Sequence, residues 1–134
     1  MSQSEVVTAT ITIAAPPAAV FPYFTDPNLL VRWIGDTAEL APEPGGLFAL
    51  DMGETRVRGS YIAVDPPNRV VFTWGVLDSE TLPSGSTTVE IRLTADGDQT
   101  IVELSHRDLP FDWRARHRDG WTKNLGVLER TARA

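Results

Sequence analysis

The stretch from Phe111 to the C-terminus at Ala134 is the longest helical pattern in the chain, and it restricts what the remainder can be. At about 100° per residue, Trp113, Asn124, His117, Leu128, Trp121, Ala132 and Leu125 fall within about a third of the circle. Arg116, Asp119, Lys123 and Arg130 lie outside that arc. One face is therefore apolar and aromatic and needs a partner surface. Two polar side chains, His117 and Asn124, lie near the middle of that face, where a purely structural helix would carry Leu or Ala. Their rotation is decisive. Pointing into the remaining chain they give a polar anchor, and pointing outward they leave only an apolar seam.

The partner surface is a sheet. Glu5 to Ile13 alternates, with Val7, Ala9, Ile11 and Ile13 on one side and threonines on the other, as in a half-buried strand. Pro16-Pro17 ends it. Ala18 to Phe24 reads as a short helix, partly 3₁₀ because Pro22 removes a backbone donor. Asp26-Pro27 restarts a helix as N-cap and first residue, with Leu29, Leu30, Trp33 and Ile34 as its apolar contacts and Gly35 as its end. Thr37 to Glu43 is a weak edge strand, and Pro44-Gly45-Gly46 turns the chain into a strand over Leu47 to Met52, closed by a hairpin at Gly53-Glu54. Arg56 to Val64 and Arg69 to Leu77 pair across the turn Asp65-Pro66-Pro67-Asn68, and Val70, Phe72, Trp74 and Val76 share one face. Asp78 to Ser86 is a polar loop. Thr87 to Thr94 and Thr100 to Arg107 form a hairpin about Asp96-Gly97, and Pro110 admits the last helix.

Strand, two short helices, a run of about six antiparallel strands and one long helix cannot make a doubly wound parallel fold. The class is α+β. A sheet with its helices on one face must curve to bury a single amphipathic helix, and glycines 46, 53, 59 and 75 offer places to bend.

The bulk properties narrow function. With 134 residues and a hydrophobic fraction of 42%, one core is expected, and the domain spans 1–134. Zero Cys and only two His argue against disulfides, thiolate metal sites and a multi-imidazole metal centre, so neither metal nor cofactor is implied. The start MSQSEVVTATITIAAPP has no basic region followed by a continuous apolar run, and no segment approaches the roughly 18 apolar residues of a membrane span, which points to a cytoplasmic protein without membrane insertion. A net charge of −6 argues against nucleic acid. The local cluster Arg114, Arg116, His117 and Arg118 is flanked by Asp112, Asp119 and Glu129 and reads as a solvated helix face. No nucleophile with a base, carboxylate pair or glycine-rich phosphate loop stands out.

Three stretches carry a family resemblance: ITIAAPPAAVFPYFTDPNLLVRWIG at the start, RGSYIAVDPPNRVVFTW in the centre, and TTVEIRLTADGDQTIVELSHRDLP with HRDGWTKNLGVLE at the end. Asp26-Pro27 with Arg32-Trp33, Asp65-Pro66-Pro67 with Phe72-Thr73-Trp74, and Gly120-Trp121 are its most diagnostic parts. Together they resemble the single-domain bacterial homologues of the activator of the heat-shock-protein-90 ATPase, within the START-related, birch-allergen-like (SRPBCC) superfamily of helix-grip proteins. The chain departs from that pattern at Pro22, where a helix-compatible residue is usual. The resemblance implies a curved sheet of about six or seven strands wrapped around the C-terminal helix, with a deep cavity between them that the superfamily uses for lipids, hormones, polyketides and other largely apolar ligands.

A cavity of that kind is mostly apolar with sparse polar anchors. The candidate lining residues are Trp33, Phe48, Met52, Tyr61, Trp74, His106, Trp113, His117 and Trp121, weighed against the ordinary role of tryptophans as core and of His106 as a satisfied core histidine. A buried His117 would need a partner, which a ligand oxygen, Asn124 or Tyr61 would supply. Arg56, Arg58 and Glu54 read as rim charges. The favoured function is binding of a small, largely apolar molecule. Two alternatives stay open: an enzyme of cyclase, aromatase or hydratase type with His106, His117 or Tyr61 as general acid or base, and a chaperone ATPase regulator. A homodimer through an edge strand is compatible with the pattern.

Overall fold

A computed structural model describes residues 6–134, and Glu5, the expected start of the first strand, lies outside the described residues. Alternating apolar and threonine side chains make β1, Val7–Ile13, with Val7 and Ile13 fully buried. α1 (Pro17–Val20) passes directly into a 3₁₀ segment (Phe21–Phe24), since Pro22 cannot donate within a longer α-helix. α2 is short, Pro27–Leu30, and is capped by the Asp26 carboxylate, which accepts from the Asn28 amide at 2.9 Å. The expected helix to Ile34 is thus cut to one turn followed by overlapping turns. Gly35, at φ +75°, then reverses the chain where a Cβ would strike Leu50.

Seven strands follow the order β1-β7-β6-β5-β4-β3-β2, all antiparallel. They are β2 (Thr37–Leu40), β3 (Leu47–Met52), β4 (Thr55–Asp65), β5 (Arg69–Trp74), β6 (Thr87–Asp96) and β7 (Gln99–Arg107) beside β1. α3, Phe111–Ala132, packs against β1 and buries Trp121, Leu125, Leu128 and Ala132. The Ala134 amide donates to the Ala14 carbonyl at 2.7 Å, fixing the end of the chain to the end of the first strand.

Two strands are shorter than their pattern predicts. β2 stops at Leu40 rather than Glu43, because Ala41 sits against Gly46 at a contact no Cβ would permit. β5 stops at Trp74 rather than Leu77. At Gly75 the chain of the β5–β6 loop crosses so closely that a Cβ would meet the Pro83 carbonyl, and regular pairing gives way to a single bridge between Val57 and Val76. Gly59 is likewise pressed on the Thr73 carbonyl, and a register shift between Tyr61 and Ala63 adds to the bending of β4. Gly53 is different, lying at φ +59° in the β3–β4 turn with open space around it.

The inner face is filled by aromatic rings. Phe48 stacks on Phe72 with centroids 4.1 Å apart and meets Tyr61 edge-on at 5.7 Å. The Tyr61 hydroxyl donates to the Phe24 carbonyl at 2.9 Å, and Trp33 Nε1 donates to the Tyr23 carbonyl at 3.0 Å, so the 3₁₀ segment is tied to both β4 and the turn after α2. On the outer face Glu90 gathers Arg69, Arg92 and Arg107 at 2.8–3.1 Å.

Gly59→Ala is expected to destabilise the fold by about 1–3 kcal/mol in urea unfolding, through overpacking against β5. Gly120→Ala, where a Cβ in α3 meets nothing, is expected to gain about 0.5–1 kcal/mol from helix propensity alone.

Candidate functional site

Between the N-terminal half of α3 and the β3–β5 side of the sheet lies a cavity of about 270 Å³. The turn of β3 into β4 contributes Met52, Thr55 and Val57, and the irregular end of β5 contributes Trp74 and Val76. α3 contributes Trp113, Arg116, His117, Gly120, Trp121 and Asn124, at the three- and four-residue spacing of one helix face. Ile34, in the turn after α2, completes the wall. The lining is mostly apolar, and no carboxylate contributes to it.

Five of the nine residues singled out from the sequence line this cavity: Met52, Trp74, Trp113, His117 and Trp121. Trp33, Phe48 and Tyr61 do not. Trp33 packs edge-on against Phe24, Phe48 stacks on Phe72 and meets Tyr61 edge-on, and the Tyr61 hydroxyl is spent on Phe24 in a site whose burial pushes its phenol well above the ordinary range. His106 also lies outside the lining, fully buried beneath it.

The protonation of His106 follows from its neighbours. The Thr87 hydroxyl lies 2.6 Å from the Trp74 carbonyl, which can only accept, so its single proton is committed there. Its oxygen must then accept from His106 Nε2–H at 2.8 Å. Trp121 Nε1–H, a donor only, lies 3.0 Å from His106 Nδ1, which must carry the lone pair. One neutral tautomer satisfies every group. Burial, with the neighbouring His117 adding to it, pushes the imidazole pKa down to about 3.

His117 is built differently. Its Nδ1 lies 2.9 Å from the carbonyl of Trp113, one helical turn back, so that Nδ1 holds the proton and neutral Nε2 holds a lone pair. Among the described residues, Nε2 has no hydrogen-bond partner. Burial lowers its pKa, the Trp113 carbonyl opposes the change, and the Arg116 cation reinforces it, leaving a net depression. The His117 ring stands edge-on to Trp74, His106 and Trp113, at centroid distances of 6.2, 5.2 and 5.8 Å. Arg116 is exposed at the rim and lies over the Trp113 ring at 4.9 Å, so it belongs to the cavity mouth and not only to a solvated face. The Trp113 indole donates to Thr81 Oγ1 at 3.2 Å, joining the mouth to the β5–β6 loop. Trp74 Nε1 is the one buried side-chain polar atom without a partner among the described residues.

The sequence profile of the Activator of Hsp90 ATPase homolog 1-like proteins matches residues 14–133. The chain belongs to this family. An AHSA1-like protein from Rhizobium etli, known from a solution structure, is 43% identical over 95% of this chain and 81% of its own, with a TM-score of 0.75. CalU16 from Micromonospora echinospora is 27% identical over 94% of this chain and 73% of its own, with a TM-score of 0.79. The Aha1 dimer from Colwellia psychrerythraea shares the fold at 18% identity, with a TM-score of 0.83 over 95% of both chains. No functionally curated protein matches significantly. Among the described residues no helix is long and apolar enough to cross a membrane.

Within this AHSA1-like fold, Ile34, Thr55, Val57, Val76, Gly120 and, at the mouth, Arg116 are cavity residues that the candidate set from the sequence missed, and Asn124, noted there as a polar residue of the helix face, joins them. Ile34, Thr55 and Val76 stand at places where regular structure ends, so no periodicity points to them, whereas Val57 lies inside β4 with the parity of Tyr61, a cue that the strand alternation did offer. Gly120 has no side chain to signal a role, though its three-residue spacing from His117 did offer a cue.

The buried histidine makes stability depend on pH. Because its folded pKa lies below the unfolded value near 6.5, the unfolded state takes up a proton that the folded state resists, and stability falls as pH drops from about 6.5 toward about 3. The contribution is at most about 1.4 kcal/mol per pH unit for one proton. Urea unfolding between pH 7 and 4.5 should show His106→Gln to be less stable at pH 7 and less acid-sensitive than the parent. An unchanged slope would mean that His106 is not held neutral.

Proposed function

We propose that this AHSA1-like chain encloses a small, largely apolar molecule between the N-terminal half of α3 and the β3–β5 side of the sheet. The observation that carries this reading is a cavity walled by Trp74, Trp113 and Trp121 with a single unsatisfied imidazole nitrogen in it. Ligand sites combine apolar walls with a few polar anchors, and a volume of about 270 Å³ lies just below the 300–1,000 Å³ usual for drug-sized ligands. The occupant is accordingly a compound of one or two rings rather than a long-chain lipid.

The cyclase, aromatase or hydratase alternative rests on His117 alone. His106 has both nitrogens engaged and Tyr61 has its hydroxyl engaged, whereas His117 keeps one free. Chaperone regulation has no feature of the site in its favour. We further propose a homodimer through an outer edge of the sheet, β1 or β2, supported by the dimeric Colwellia relative and by the strand order. Light scattering at micromolar concentration should give twice the monomer mass, and a monomer throughout would discard the dimer.

Intrinsic tryptophan fluorescence and thermal unfolding across a set of neutral one- and two-ring compounds test the binding reading. A true ligand at one hundred times its Kd should stabilise by about 2.7 kcal/mol, a shift of several degrees. Gly120→Leu, which fills the cavity from a helix position with room for a side chain, should abolish the shift while keeping the fold. Silence across the set, or undiminished binding by Gly120→Leu, would remove this assignment.

A further inference from the structure

The unsatisfied nitrogen is chemically one-sided, and that narrows the ligand beyond size and apolarity. His117 cannot present a donor to the cavity without first breaking its bond to the Trp113 carbonyl or taking up a second proton. The ring is half-buried and packed edge-on between Trp74 and Trp113, and a 180° flip would put a ring carbon where Nδ1 meets the Trp113 carbonyl, losing that hydrogen bond. Nε2 is therefore a fixed acceptor.

We propose that the ligand is a ring compound bearing an acidic hydroxyl, a phenol or an enol, whose O–H donates to His117 Nε2 while its ring lies against the tryptophans. This rests on the apolar-ligand reading above and assigns the chemical class of its polar group.

The competing classes each meet an obstacle in the wall. An ammonium would enter a cavity without a carboxylate and with the Arg116 guanidinium at its mouth. An ether or ketone could be met by the unpartnered Trp74 Nε1–H or the Asn124 amide, but at His117 it would set one acceptor against another and leave Nε2 desolvated without a proton. A carboxylate would find a counter-ion in Arg116, but its charge would face the lone pair of Nε2. An acidic hydroxyl avoids all three obstacles. It brings the missing proton, and the nearby cation favours the negative charge that builds on its oxygen as the hydrogen bond strengthens. The burial that keeps His117 neutral keeps it an acceptor at physiological pH. Asn124, with both a donor and an acceptor on its amide, is free to take a second polar group of either kind.

The test uses α-naphthol, its methyl ether and naphthalene, three probes of nearly one shape that differ in the proton offered. Fluorescence titration of the wild-type chain at pH 7 should give α-naphthol an affinity at least about fivefold above that of the ether. His117→Phe should bring that ratio close to one while naphthalene still binds. Should that variant not fold, the wild-type protein supplies an independent readout: the nitrogen NMR resonance of His117 Nε2 should move upfield with α-naphthol and not with the ether. Equal binding of all three probes would overturn the acidic-hydroxyl assignment and leave the apolar-ligand reading standing. A preference for α-naphthol that persists in His117→Phe would overturn His117 as the acceptor. Absence of binding by any probe would overturn both readings.

Discussion

Four groups on four elements share their protons in one unbranched relay, and the placement of α3 depends on it. Trp121 of the helix donates to His106 of β7, His106 to Thr87 of β6, and Thr87 to the backbone of Trp74 at the end of β5. All are buried, so a slip that left any one unpaired would carry the desolvation cost of a buried polar group. The relay admits only one strand register and one rotation of the helix. Moving β7 by a single residue would turn His106 outward and put Ser105 or Arg107 in its place. Because Trp121 points inward, His117 one turn before it and Asn124 nearly one turn after it lie on the same side. The fastening of the helix and the polar strip of the cavity are thus one geometric fact.

The two histidines show how similar surroundings produce unlike chemistry. Their rings are 5.2 Å apart and nearly perpendicular, and burial depresses both pKa values. His106 has a donor on one side and an acceptor on the other, and its chemistry is used up in holding the fold. His117 spends one nitrogen on its own helix and keeps the other. The second imidazole is poised because its helical partner is an acceptor, which fixes the lone pair on the far side of the ring.

Much of this was legible in the residues. The alternation in β1, the Asp26-Pro27 start of α2, the turn at residues 65–68 and the apolar arc of α3 are local signals, and local physics decides them. The inward rotation of His117 and Asn124 was legible as a question, since the same arc carries Trp121 and Leu125. The relay was not legible, because no local pattern pairs residue 106 with residues 87 and 121 across two elements. Trp33, Phe48 and Tyr61 look like lining in a sequence, as large aromatic groups at inward positions. The short helices and β5 claim them first, through ring packing that is edge-on for Trp33 and stacked for Phe48, and through carbonyls left free by the 3₁₀ turn. Arg116 falls outside the apolar arc, yet the first turns of α3 wall a space rather than fill a core, and the edge of such a face reaches the mouth.

The division of labour along α3 has a bearing on how proteins of this shape diversify. Its last turns, with Leu125, Leu128 and Ala132, are closed into the core against β1 and leave little room for exchange. The residues before them stand over empty volume, where enlarging or shrinking a side chain alters the shape of the space with less strain on neighbours. A single helix therefore combines a fixed-volume segment with a permissive one, and the boundary between them falls between Asn124 and Leu125. Selection on the contents of the cavity can act on one segment while the other keeps the fold intact, which makes new specificities reachable by single substitutions.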